Sequence, residues 1–245
     1  SGLTFYGGLI IATLVLWIYA RKIKLDFRHL CDAAAPALML AYGIGRLGCQ
    51  VSGDGDWGIY NSAYITNAQG QVALASDTNF VQHLTPYKEY FQRHEKEGLD
   101  HVACKGPSSL PVWLFAYNYP HNVNNVGVAL PGCHDSEYCS VLPQPVFPTP
   151  IYECVVCVLL FVFLWGIRKR FEVPLGMFAV YLVLNGIERF LVEQIRVNYQ
   201  YHIFGLQPTQ AELIAILLIL TGILLFLLRK QIHRFVQPKD AVPFP

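Results

Sequence analysis

The sequence predicts an all-α polytopic membrane protein with five transmembrane helices, N-out/C-in, and a large extramembrane insertion. Three observations predict it. The 245 residues are 53% hydrophobic and only 14% charged, with a positive mean hydropathy, which lies above ordinary soluble composition. Several apolar runs approach the roughly 20 residues that a helix needs to cross a hydrocarbon core. Basic clusters follow the first, third and fifth runs, and the positive-inside rule assigns all three to the cytoplasm, as five alternating helices require.

Taken in order, the first segment runs from Leu3 to Ala20 and ends in Arg21, Lys22 and Lys24. It has no basic n-region and no small-residue cleavage site, so it is not read as a signal peptide. The second runs from about Ala33 to Gly48 and carries Arg46 near its far end. These two form a first region, 1–48. Residues 49–148 are rich in Gly, Pro, Asn, Tyr and His, too long and too polar for a connector, and read as one outer-side domain. The third region, 149–245, holds the remaining helices and a short cytoplasmic tail. Its first helix opens with Thr149 as expected N-cap and Pro150 at the first helical position, and ends in Arg168, Lys169 and Arg170. The next spans Pro174 to Arg196, and the last runs from about Thr209 to Leu228 before Arg229, Lys230 and Arg234.

The seven cysteines fix no disulfide framework. A structural disulfide between two of Cys104, Cys133 and Cys139 is expected. His101, Cys104, Cys133, His134 and Cys139 lack zinc-type spacing, and no metal or cofactor is expected. Cys154-x-x-Cys157 lies inside an apolar helix, where two cysteines are more often small buried hydrophobes than a thiol-exchange pair.

The informative charges are those inside helices. Asn185, Arg189, Glu193 and Arg196 follow helical spacing and form one polar stripe. Counted at about 1.5 Å per residue, Arg189 lies roughly 22 Å from the cytoplasmic start of its helix, in the outer leaflet. An ionisable side chain at membrane depth costs at least about 2.5–3.5 kcal/mol at a helix centre and is a functional candidate by default. Arg46 brings a second arginine to the same side, within Gly43-Ile44-Gly45-Arg46-Leu47-Gly48-Cys49 and ahead of Ser52-Gly53-Asp54-Gly55-Asp56-Trp57-Gly58. Gly43 to Gly48 formally matches a dinucleotide fingerprint, but closes a membrane helix instead of linking a strand to a helix. Glu153 falls in the first turn of the third segment, where it complements the helix dipole or joins the arginines. Tyr6 opens the first segment, as an interfacial anchor or a member of the site. Two arginines beside a lipid-facing opening hold a phosphate through charge-assisted, often bidentate hydrogen bonds, and neutralising it makes it a better leaving group.

These residues resemble the bacterial prolipoprotein diacylglyceryl transferases. Phe5-Tyr6-Gly7-Gly8-Leu9-Ile10 is similar to the family's F-H-G-G-L-I, and Gly45-Arg46-Leu47-Gly48-Cys49 through Gly53-Asp54 and Trp57-Gly58 to its G-R-x-G-(N/C) … G-(D/E)-x-W-G. Pro148-Thr149-Pro150-Ile151-Tyr152-Glu153 resembles its H-P-(S/T)-Q-L-Y-E, and Asn185 through Glu193 with Arg196 its (N/G)-x-x-R-F-x-x-E-x-x-R. The four motifs stand in family order. The family has seven helices, N-out, and its H-G-G segment begins the third, so the resemblance implies that two N-terminal helices are absent from this chain.

The implied activity is transfer of a diacylglyceryl group from phosphatidylglycerol to the lipobox cysteine of a preprolipoprotein, at the periplasmic face of the bacterial inner membrane. Membrane lipids and, in a variant reading, a larger envelope complex complete the expected partners, with no nucleic acid among them. By resemblance Arg46 and Arg189 bind phosphate and Glu193 and Arg196 position Arg189. Ser52, Asp54 and Glu153 shape the headgroup site, with Gly7, Gly8, Gly45, Gly53, Trp57, Gly58, Tyr152 and Asn185 lining it. The family's two histidines are replaced by Tyr6 and Phe147. The acceptor for the thiol proton therefore stays open among Tyr6, Asp54 and a periplasmic histidine. The rival that remains is a non-catalytic homologue that binds phospholipid or lipoprotein. Gly53-Asp54-Gly55-Asp56 and Pro36-Ala37-Leu38 match intramembrane aspartyl protease motifs, but in reversed order, and Asp32, the acid that could partner Asp54 by type, lies at the cytoplasmic end of its helix.

Overall fold

The computed structural model describes residues 5–75, 82, 84–87, 91, 100–134, 137–196 and 208–236. Among them are five long helices: α1 (Phe5–Lys22), α2 (Phe27–Ser52), α3 (Thr149–Ile167), α4 (Gly176–Glu193) and α5 (Gln210–Val236). The stretches Thr149–Ile167 and Gln210–Phe235 are long and apolar enough to cross a membrane. The chain divides into two compact units, one of Ser1–Leu40, Leu159–Ile187 and Ala215–Pro245, the other of Ala41–Val158 and Glu188–Ile214.

In the first unit α1 stops where Lys24 adopts a left-handed conformation (φ 58°) and the Leu25 amide reaches back to the Ala20 carbonyl at 2.8 Å, a Schellman ending. Asp26 then accepts from the Arg28 amide at 2.9 Å and starts α2. The Asp32 carboxylate accepts from the Leu175 and Phe178 amides at 2.7 and 2.8 Å and caps α4. Leucines, isoleucines and aromatics are exposed along α1, α3 and α5, among them Ile11, Trp17, Leu159, Phe163, Leu217 and Leu227. Such continuous apolar exposure suits contact with lipid.

The second unit contains the 49–148 region, whose strands are short. Strands β1 (Tyr60–Asn61) and β4 (His101–Val102) pair in parallel; β2 (Tyr64–Thr66) pairs with β3 (Val72–Leu74), and β5 (Val128–Ala129) with β6 (Ser140–Val141), both antiparallel. Sheets this small supply few ladder bonds, and buried amides fill the gap. Asn61 donates to the Cys104 and Phe115 carbonyls and accepts from the Ala63 and Cys104 amides. Gln144 donates to the Asn61 and Tyr64 carbonyls, and Asn122 to the Val126 carbonyl. Tyr60, Tyr119, Leu142 and Val146 form the apolar core of this region, with Trp57 and Tyr117 packed against it. Cys133 and Cys139 form the disulfide, while Cys104 is a free thiol.

Several boundaries differ from the sequence reading. α4 ends at Glu193, so Arg196 lies past its helix, in a bridge to Gly58, and α5 continues through Arg229, Lys230 and Arg234 to Val236. α2 begins six residues earlier and ends four later than expected, because Asp26 supplies a cap upstream and the glycines at 43, 45 and 48 are tolerated inside it. At the start of α3, Thr149 is itself helical and its hydroxyl donates to the Asp56 carbonyl at 3.1 Å. It tethers the 53–58 turn instead of capping its own helix.

Candidate active site

The arginines of the sequence reading converge on one carboxylate within the second unit. Glu153, in the first turn and a half of α3, has a fully buried side chain. Arg46 Nε lies 2.8 Å from its Oε2, Arg189 Nη1 lies 3.6 Å from the same oxygen, and Arg196 Nη1 lies 3.8 Å from Oε1. Arg189 Nη2 also stands 3.9 Å from Glu193, one helical turn away on α4. A carboxylate this deep persists as an ion only where opposite charges offset its desolvation.

The acid that engages the arginines is Asp56, and the sequence candidate Asp54 lies beside it, with a carboxylate oxygen within 4.8 Å of one of Asp56. The two Asp56 oxygens pair with Arg46 Nη1 and Arg196 Nη2. Burial alone would raise its pKa, yet the Arg196 and Arg46 guanidiniums outweigh that and hold its carboxyl below the ordinary range. Asp54 is exposed, and its backbone carbonyl accepts from Asn124 at 2.7 Å. Backbone pairing explains which acid is chosen. The Gly58 amide donates to the Phe147 carbonyl and the Ile59 amide to the Ile195 carbonyl, so residues 58–59 are woven between the start of α3 and the end of α4. A Cβ on Gly58 would stand 2.8 Å from the Ile195 carbonyl and from Thr149 Cγ2. Only glycine permits that approach, and Asp56, two residues upstream, is delivered to the arginines. Gly53 (φ 62°) makes the preceding turn against Asn122.

Tyr42 was not anticipated at all. Its hydroxyl donates to Glu153 Oε2 at 2.8 Å and accepts from Arg46 Nη2 at 3.2 Å. The Arg46 guanidinium lies over its ring, 5.0 Å from the centroid. Its position four residues before Arg46 was the available signal. Glu188, buried beside Arg189, was also missed; neither of its oxygens has a hydrogen-bond partner among the described residues.

The remaining candidates fall as follows. Ser52 Oγ donates to the Cys49 carbonyl at 3.4 Å, and Trp57 packs on Tyr119 with centroids 5.1 Å apart. The Tyr152 hydroxyl donates to the Leu114 carbonyl. Among the described residues, Gly45 has no neighbour within 4 Å of its Cβ direction, nor have Gly7 and Gly8 on α1. Asn185 is half-buried on α4, one turn before Arg189. Tyr6 lies in the first turn of α1, but its side chain is outside the described residues. Asp32, which a protease reading would need beside Asp54, has both carboxylate oxygens occupied by backbone amides at the start of α4. Cys49, Asp54 and Asp56 bring potential ligand atoms within 4.8 Å of one another, but both Asp56 oxygens are taken by guanidiniums. Cys154 and Cys157 are buried, and a Cβ on Gly43 would lie 2.8 Å from Cys157 Cβ; the pair packs α3 against α2.

Not every donor in the cluster is used. Arg189 Nη1 and Arg196 Nε and Nη1 are buried without a hydrogen-bond partner among the described residues. Unmet donors on two adjacent arginines suit an anion with several acceptor oxygens.

The chain is 29% identical over 200 residues to the phosphatidylglycerol–prolipoprotein diacylglyceryl transferase of Leptospira interrogans, an alignment covering 81% of the chain and 42% of the relative. It is 25% identical over 231 residues to the enzyme of that name from Dehalococcoides mccartyi, covering 94% and 63%. A segment of 91 residues is 35% identical to the Chlorobaculum tepidum enzyme, covering 37% and 30%. The chain thus spans about two-fifths of the Leptospira protein's length and under two-thirds of the Dehalococcoides protein's. The model of the family described as prolipoprotein diacylglyceryl transferase matches residues 1–228, and the chain belongs to that family.

Proposed function

We propose that the arginine cluster binds the headgroup phosphate of phosphatidylglycerol, and that the protein transfers the lipid's diacylglyceryl group to the lipobox cysteine thiol of a preprolipoprotein. The observation that carries this reading is the set of unmet guanidinium donors on Arg189 and Arg196 beside a fully buried Glu153. Arg46 and Arg196 are held by Asp56 and Glu153, so they present charge in a fixed geometry. Arg189, with its nearest acid oxygens at 3.6 and 3.9 Å, is the arginine freest to reach a ligand. The thiolate attacks the glyceryl carbon that bears the phosphate, and the carbon–oxygen bond breaks to release glycerol phosphate. Charge gathering on the leaving phosphate is met by guanidiniums already oriented, the largest catalytic contribution that such a site offers. In this reading the chain crosses the bacterial inner membrane five times with its N-terminus outward, the cluster faces the periplasm, and the 49–148 region receives the lipobox segment.

The missing imidazoles at Tyr6 and Phe147 favour the rival reading of a non-catalytic lipid- or lipoprotein-binding homologue, within or outside an envelope complex. Complementation decides between them. In a bacterium depleted of its own transferase, the full-length protein is expected to restore diacylglyceryl-modified lipoprotein. Arg189→Ala is expected to lower the rate by about 100-fold or more. Absence of modified lipoprotein despite membrane expression of the wild type would leave only the binding role.

A further inference from the structure

We infer that Tyr42 and Glu153 form the proton relay for the thiol, in place of the imidazoles absent at positions 6 and 147; the inference rests on the transferase reading. The Tyr42 hydroxyl sits between a donor and an acceptor. Arg46 Nη2 donates to it at 3.2 Å, and it donates to Glu153 Oε2 at 2.8 Å. A phenolic oxygen has two lone pairs; one meets Arg46, and the other is available to a substrate S–H. Tyr42 is half-buried while the Glu153 side chain is fully buried, so the tyrosine is the member of the pair that a substrate reaches. Charged groups facing it are Glu153 on α3, Arg46 on α2, and Glu188 and Arg189 on α4.

As sulfur attacks the glyceryl carbon, the thiol proton passes to the Tyr42 oxygen and the Tyr42 proton passes to Glu153 Oε2. The carbon–oxygen bond breaks with its electron pair leaving on glycerol phosphate, and the sulfur–carbon bond forms. Tyrosine is neutral before and after, so no tyrosinate has to exist at membrane depth. Glu153 begins the step as an anion restrained by three arginines. The charge that gathers on the leaving phosphate draws on those same guanidiniums. Proton transfer and leaving-group departure are thereby coupled through Arg46 and Arg189.

The test uses the full-length protein in phosphatidylglycerol vesicles with two lipobox peptides, one carrying cysteine and one carrying selenocysteine, whose selenol is already ionised at neutral pH. Tyr42→Phe keeps the ring under Arg46 and removes only the hydroxyl. With the cysteine peptide, kcat is expected to fall about 100-fold or more, in the range of a lost general base, while KM for phosphatidylglycerol holds. With the selenocysteine peptide the defect is expected to shrink by at least about tenfold. Wild-type turnover by Tyr42→Phe on the cysteine peptide, or equal losses with both peptides, would overturn the relay and leave the transferase reading standing. No turnover of either peptide by the wild type would overturn both.

Discussion

Helices α4 and α5 meet in the first unit through glycine. A Cβ on Gly186 would lie 2.7 Å from the Ala215 carbonyl, and one on Gly222 2.8 Å from that of Ala179. Small residues at helix crossings permit the close backbone contact on which association in lipid depends. In the second unit, α2, α3 and α4 are tied instead by Arg46, Arg189 and Glu153, and the intervening loops by buried Asn61, Asn122 and Gln144. The contrast teaches that the two kinds of stability fail differently. A crowded glycine crossing forces two helix backbones apart, at about 1–3 kcal/mol for overpacking, whereas a buried ionic cluster loses about 3–5 kcal/mol when one member is removed, because its partners stay charged and desolvated.

The largest expected effect is therefore at Glu153. Glu153→Ala leaves Arg46, Arg189 and Arg196 facing one another, and a loss of about 3–5 kcal/mol is expected. Thermal unfolding in detergent would measure it. A variant as stable as the wild type would mean that the guanidiniums do not depend on this carboxylate, and the contrast between units would lose its main support.

Asp56 comes next, set against Asp54. Asp56→Asn removes the charge from the contacts with Arg46 and Arg196 and is expected to cost about 1–2 kcal/mol, at the low end for charge-assisted bonds because this side chain is 35% exposed. Asp54→Asn, at an exposed side chain, is expected to change stability by less than about 0.5 kcal/mol. The pH dependence has a definite sign. The folded Asp56 carboxyl titrates below its unfolded value of about 3.9, so its contribution is complete at neutral pH and is lost as pH falls from about 4 through the folded pKa. Asp56→Asn should flatten that acid limb, followed by near-ultraviolet circular dichroism. An unchanged limb would assign the acid transition to other carboxylates.

How much of this was legible depended on how local each signal was. The helices were visible because apolar runs and basic ends are local properties, and Arg46 and Arg189 stood out because charge inside an apolar helix is conspicuous; Arg196 followed from their spacing although it lies past the end of α4. Glu153 could be placed by depth, but a first-turn acid has a sufficient local explanation in the helix dipole, so its position between three arginines was not legible. Asp56 was not singled out because Gly53-Asp54-Gly55-Asp56 offers two acids in a similar setting. The choice is made by Gly58 pairing with residue 147 and Ile59 with residue 195, contacts that no window of sequence contains. Tyr42 was hidden for another reason: a tyrosine in a membrane helix reads as an aromatic anchor, and its partner lies 111 residues away.

The smallest effect tests the first unit on its own terms. Asp32 is its one carboxylate, among the described residues, that accepts backbone amides at 2.7 and 2.8 Å from another helix. If polar groups there serve only to finish helix ends, Asp32→Ala should cost about 0.5–2 kcal/mol, as for an ordinary cap, and leave transfer activity close to wild type. Asp32→Asn keeps an acceptor oxygen and should recover part of the loss. A collapse comparable to that of Glu153→Ala would show that Asp32 sustains a buried polar arrangement of its own, and the unit could no longer be described as helices held by packing alone.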